Sequence, residues 1–213
     1  WEALVQCARG GVDRGCIGPA ILQELVTVFL DKTMGALRNS VQSEKPDEST
    51  LQAKVVGVSG VIRKAGTGVL TADTLKTIAA TAGQILSAIQ VSADKDGADD
   101  VMPPRKGIDP CEDDDEDEEE IPDATPQSLR YALADVLGAL MRSSPDPFVE
   151  VALPTVMQFV QSLLKEGSSD HDRALAFYVT DDVVDCLGQK SVPYWNGFMN
   201  LALSALADKC AVA

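Results

Sequence analysis

Nine consecutive carboxylates, Glu112, Asp113, Asp114, Asp115, Glu116, Asp117, Glu118, Glu119 and Glu120, follow Cys111 in the run "CEDDDEDEEE". The chemistry open to such a run is electrostatic. At physiological salt its field extends about 8 Å, enough to attract a basic protein surface or to compete for one. Selective calcium binding would need interleaved carbonyls and a shaping glycine, and the run has neither. Blocks of like charge also serve as plain solvated connections, because they repel themselves and stay extended. Two readings therefore stand side by side: an electrostatic contact for a partner, or a spacer.

A second constellation surrounds the only histidine, His171, with Asp172, Asp181, Asp182 and Asp185 close in sequence. A His-Asp dipeptide in a helical chain suggests a metal-dependent phosphohydrolase, but such a centre needs several histidines to hold its metal. No nucleophile, base and orienting group can be assembled, so an enzyme is not expected. Asp170 or Asp172 is expected to cap a helix instead, placing negative charge at its positive end. Asp181 and Asp185, one turn apart, repel each other unless paired, and Arg173 and a neighbouring repeat are the candidate partners. Cys7, Cys16, Cys111, Cys186 and Cys210 are irregularly spaced, with no C-x-x-C. They are expected to be free thiols of a reducing compartment, with Cys7, Cys186 and Cys210 as small core residues. Neither a metal nor an organic cofactor is expected.

Composition narrows the partners further. The 213 residues carry 33 acidic and 18 basic side chains, a formal charge of -15. Without the acidic run the balance is 24 to 18, a net -6, so the acidity is local. The sole basic cluster, Pro104 to Lys106, is too short for a nucleic-acid-binding stripe. No stretch of about 18 apolar residues suggests a membrane span. The sequence opens at Trp1 without Met and closes on "LSALADKCAVA", which predicts a segment of a longer protein.

Helical periodicity positions all of these residues. "GPAILQELVTVFLDKTMGAL" places Pro19 in a first turn and Leu22, Leu25, Val26 and Phe29 on one face. "STLQAKVVGVSGVIRK" does the same with Leu51, Val55, Val58 and Ile62, with Ser49 or Thr50 as N-cap; Gly57 and Gly60 weaken that helix. A third stripe holds Leu75, Ile78, Ala82, Ile85 and Ile89. From 92 to 125 the periodicity vanishes into Asp, Glu, Gly and Pro, predicting a disordered acidic loop. It returns in "QSLRYALADVLGALM" with Leu129, Ala132, Leu133, Val136, Leu137 and Leu140. After "SSPDP" comes a stripe of Leu153, Val156, Met157, Val160 and Leu164, bent or begun near Pro154. Then follow Ala176, Val179, Val183 and Leu187, and last Trp195, Phe198, Met199, Ala202 and Leu206, with Trp195 and Trp1 expected in the core.

Helix, short turn, helix is the recurring order. Asp135 and Asp182 lie 47 residues apart and Pro147 and Pro193 lie 46 apart, the period of paired-helix HEAT repeats. The expected fold is therefore all-α: a HEAT-repeat solenoid of about four antiparallel helix pairs with one acidic inter-repeat loop. Its hairpins would be 1–44, 45–91, 126–166 and 167–213, with the loop at 92–125.

Three segments in this order resemble the karyopherin-β (importin-β) superfamily, and within it the importin-five or beta-three class, with the importin-four class next. They are "WEALVQCARGG", the acidic loop, and "DRALAFYVTDDVVDCLGQKSVPYWNGFMNLALSAL", whose Asp172, Arg173, Ala176, Asp181 and Asp182 match the class's D-R-x-x-(A/G)-x-x-x-x-D-D helix. The sequence departs from that class in a shorter, more uniformly acidic loop and in lacking a Trp after the Arg. The resemblance implies a segment from the later part of a nuclear transport receptor that shuttles between cytoplasm and nucleus. Such a receptor binds protein cargo, expected here to be basic, releases it to the GTP form of Ran, and crosses the nuclear pore on phenylalanine-glycine nucleoporins. The other reading is a generic HEAT scaffold or adaptor.

Overall fold

A computed structural model describes residues 1–41, 48–89, 126–165 and 167–200. Every regular element among them is helical: α1 (Glu2–Asp13), α2 (Pro19–Val41), α3 (Glu48–Ala65), α4 (Ala72–Ala88), α5 (Pro126–Ser143), α6 (Pro145–Val151), α7 (Leu153–Leu163), α8 (Asp170–Leu187), then a 3-10 helix (Gly188–Gly197). The acidic run and its flanks, 92 to 125, lie outside the described residues, as do Cys111, Ala202, Leu206 and Cys210.

Local signals set the boundaries. Between α1 and α2, Gly11 accepts hydrogen bonds from the Cys16 and Ile17 amides at 2.8 and 3.2 Å, and Gly15 takes a φ of 70°. Only glycine adopts that conformation without steric cost. Thr71 caps α4 by accepting from the Thr74 amide at 3.1 Å. Ser169, not Asp170 or Asp172, caps α8: its hydroxyl accepts from the Asp172 amide at 3.1 Å, leaving both aspartates in the first turn. Ser49 and Thr50 likewise fall inside α3, which begins at Glu48. The expected break near Pro154 is a junction: α6 ends at Val151, Ala152 leaves helical geometry, and Pro154 enters the first turn of α7. A proline there loses no intrahelical hydrogen bond.

Packing arranges the helices in two layers. In one, α1 packs on α3, α3 on α5 and α5 on α8; in the other, α2 packs on α4, and α4 on α6 and α7. Contacts between α2 and α3, α4 and α5, and α7 and α8 join the layers. Helices of the first layer run the same way. Arg130, Asp135 and Arg142 along α5 meet Asp172, Tyr178 and Asp182 in that order along α8. At the other end, Ser128 of α5 donates to Gln52 of α3 at 3.2 Å, so these helices start side by side.

The predicted stripes form the core. Leu22, Val26 and Phe29, Leu51, Val55, Val58 and Ile62, and Leu75, Ile78, Ala82 and Ile85 are all buried. Leu25 and Ile89 lie half-buried at its margin. The central helix α5 goes further than its stripe: Tyr131, Ala134, Ala139 and Met141 are buried too, because α3, α4, α6 and α8 surround it. Burying a large aliphatic side chain contributes about 1.5–3 kcal/mol, so α5 ties the two ends of the molecule together. Gly57 and Gly60 do not interrupt α3. At Gly60 the glycine is useful, since a Cβ would run into the Glu2 carboxylate of α1.

Candidate functional site

The strongest concentration of charged chemistry is the seam between α5 and α8. Arg130 Nη2 donates to Asp172 Oδ1 at 2.6 Å, Tyr178 Oη to Asp135 Oδ1 at 2.6 Å, and Arg142 Nη2 to Asp182 Oδ1 at 2.8 Å. Asp182 is 2 % exposed and Arg130 4 %. A charge taken that far from water costs several kcal/mol unless paired, so these pairings fix the register of α8 on α5. The Tyr178 ring also stands edge-on to Tyr131, with centroids 5.1 Å apart. Burial opposes ionisation of Asp172, but its hydrogen bond from Arg130, the bonds from Ser169 and the Arg130 charge outweigh it. Its carboxyl is held below the ordinary carboxylate value.

This seam redistributes the residues singled out from sequence. Asp182 does not face Asp135 across the seam. The facing pairs are Asp135 with Tyr178, 43 residues apart, and Arg142 with Asp182, 40 apart, one to two helical turns closer in sequence than 47. Arg173 pairs with Asp170, one turn back, and Asp181 and Asp185 are both exposed. His171 is half-buried in the first turn of α8, beside Asp172, which is committed to Arg130. No group of three metal-ligating side chains gathers among the described residues.

Other expectations are corrected or refined. Cys7 is exposed, because the buried face of α1 consists of Val5, Ala8 and Gly11; Cys186 is half-buried. Trp195 is half-buried, donating its indole N–H to Ser191 Oγ at 2.9 Å, with Phe198 buried next to it. Trp1 is not in the core: it is 58 % exposed and lies against Phe29 with ring centroids 4.9 Å apart.

Trp1 marks a groove that the hydrophobic pattern did not announce. The cavity, about 680 Å³, opens between α2 and α3 beyond the first residues of α1. Its α2 wall is Phe29, Lys32, Thr33 and Ala36, and its α3 wall is Thr50, Ala53, Lys54 and Gly57. Lys54 is half-buried and Lys32 exposed, and neither forms an ion pair among the described residues. The sequence signal was there in retrospect: small residues recur at helical spacing (Ala53, Gly57) next to a lysine on α3. The signal for the α5–α8 seam was similar, since Arg130, Asp135 and Arg142 interrupt an apolar helix. Compared with known proteins, the chain matches no family model, no curated protein and no solved structure.

Proposed function

We propose that this chain is a HEAT-type solenoid segment of a karyopherin-β transport receptor, in the importin-five class, that binds protein cargo without covalent chemistry. The observation that supports this reading is the two-layer stacking. Helices α1, α3, α5 and α8 lie side by side, and α1, α3 and α5 are each followed by helices that pack in the second layer. A hairpin of this kind buries its apolar stripe only against its neighbours. Small rotations summed along such a stack change its curvature at little cost, and curvature change is how the receptor would couple cargo release to the GTP form of Ran. The proposal contains no catalytic step and no cofactor. The acidic run at 112 to 120 enters it as an electrostatic contact for basic cargo, and transit through the nuclear pore as weak contacts with phenylalanine-glycine repeats.

A generic HEAT scaffold shares the stacking and is the alternative. Affinity capture from the full-length parent separates them. Retention of the GTP form of Ran over its GDP form, together with phenylalanine-glycine repeats, is expected of the receptor. If the parent retains neither, the transport reading fails and the scaffold reading remains.

A further inference from the structure

The cap of α8 is tied directly to the α5–α8 seam. Ser169 Oγ accepts from the Asp172 amide at 3.1 Å, and the carboxylate of the same Asp172 accepts from Arg130 Nη2 at 2.6 Å. Arg130 is 4 % exposed, and among the described residues its Nε has no acceptor. Nε and Nη2 form one edge of the guanidinium fork, an edge that suits a group with two or three acceptor oxygens. Asp172 fills only half of it, and a buried donor left unpaired is destabilising. The Asp172 side chain is 31 % exposed, so this ion pair reaches the rim of the seam. Ser169 is exposed there, in the connection between α7 and α8.

We propose that Ser169 is a phosphorylation site, and that its phosphate completes the half-filled Arg130 fork and locks the start of α8 onto α5. The flanking charges select an ester over a free anion. Asp170 and Asp172 would repel a dissolved phosphate, whereas a covalent one cannot leave. The same two carboxylates, one and three residues after the serine, form a charge pattern that a kinase with a basic substrate cleft can read. In the transfer, Ser169 Oγ bonds to the terminal phosphorus of a nucleoside triphosphate. The bond to the diphosphate breaks, and the hydroxyl proton passes to the kinase's base. The resulting dianion meets favourable charge from Arg130 and from the amides of the first turn of α8. Against it stand Asp170, which is exposed and paired with Arg173, and Asp172, which is already paired with Arg130. The remaining titratable neighbours, half-buried His171 and exposed Lys165, carry no negative charge. Attraction therefore outweighs repulsion. The site rests on the seam and not on the transport reading.

Treatment of the intact chain with an acid-directed serine kinase and ATP tests the site. Mass mapping should place a phosphate on Ser169; Ser169→Ala should remove it and Ser168→Ala should leave it. Asp170→Asn, at an exposed position, should slow the transfer several-fold. Phosphorus NMR of the phosphorylated chain then tests the fork. A serine phosphate loses its second proton near pH 6, and in the folded chain it should do so about 0.5 lower in pH than in the same chain unfolded in urea. Arg130→Gln should return that titration toward the unfolded one. The Arg130 Nε–H proton should also move downfield in an arginine-labelled chain on phosphorylation, a measurement that needs no substitution and decides the matter if Arg130→Gln disturbs folding. A chain that takes no phosphate on Ser169 overturns the site. A phosphate that titrates at or above the unfolded value, or an Arg130 Nε–H that does not move, overturns the fork. Failure to bind Ran leaves this site untouched, and an unmodified Ser169 leaves the transport reading untouched.

Discussion

Arg142 Nη2 lies 2.8 Å from Asp182 Oδ1, and the space that admits this buried carboxylate into the α5–α8 seam is the missing side chain of Gly138. A Cβ on Gly138 would stand 2.5 Å from Asp182 Oδ2 and 3.0 Å from its Cγ. The carboxylate cannot swing away cheaply, because it is 2 % exposed and held by Arg142. Gly138→Ala is therefore expected to destabilise the fold by about 2–4 kcal/mol, combining overpacking with damage to a buried pair. In an open helix the same change would stabilise by about 1 kcal/mol, so the sign alone is informative. Urea unfolding measures it, and the Gly138→Ala/Asp182→Ala double variant should lose clearly less than the two single losses added. Strict additivity would mean that the clash is not the cause.

Asp172 makes the acid stability of the same seam predictable. Its carboxyl titrates below the ordinary value of about 3.9 because Arg130 and Ser169 outweigh the opposing effect of burial. A depressed folded-state value means that the stabilisation is complete above the unfolded-state value and is lost as pH falls through the folded one. Asp172→Asn should therefore lower the urea midpoint at pH 7, and the gap between variant and parent should shrink between pH 4 and the acid limit. A gap that stays constant down to about pH 2 would show that the Arg130–Asp172 charge pair contributes nothing to stability.

How far the sequence carried these conclusions depended on what each residue touches. The stripes Leu75–Ile78–Ala82–Ile85 and Val156–Met157–Val160 were legible because burying an apolar face leaves a helical period in the sequence itself. Burial all round α5 was not, since a stripe describes one neighbour and α5 has several. Polar pairings such as Tyr178 with Asp135 are set by the register between helices far apart in sequence. A 47-residue repeat spacing therefore does not tell which side chains meet across the seam. The groove beside Trp1 stayed hidden for a different reason: apart from Trp1 and Phe29 it is lined by small and polar residues that the hydrophobic pattern counts as surface.

The C-terminal stop of α8 gives a backbone test free of side-chain contacts. Gly188 adopts φ 49° and ψ -125°, and nothing lies within 4 Å of a Cβ built on it. Any cost of Gly188→Ala is thus conformational, expected at about 1–3 kcal/mol. Gly83 in α4 is the matched control: it also has open space around it, but no positive φ. Gly83→Ala should stabilise by roughly 0.5–1 kcal/mol through helix propensity and a less flexible unfolded chain. Opposite signs in thermal melts support the geometry at Gly188, and two stabilising substitutions would contradict it.

The acidic run invites a prediction that rests on its charge alone. Replacing Glu112 to Glu120 with glycine and serine at equal length removes nine of the 33 carboxylates and takes the formal charge from -15 to -6. If the run attracts a basic partner, the affinity of a lysine-rich probe peptide should fall by about an order of magnitude at low salt. The difference should then close as the screening length shortens toward a few ångströms near 1 M salt. Scrambling the order of the nine residues should leave affinity unchanged, because what acts is the charge density and not a motif. An affinity that rises on neutralisation would instead identify the run as a competitor for the surface that the probe binds. An unchanged affinity at both salt concentrations would reduce it to a spacer, since a field that acts on a partner must respond to the ions that screen it.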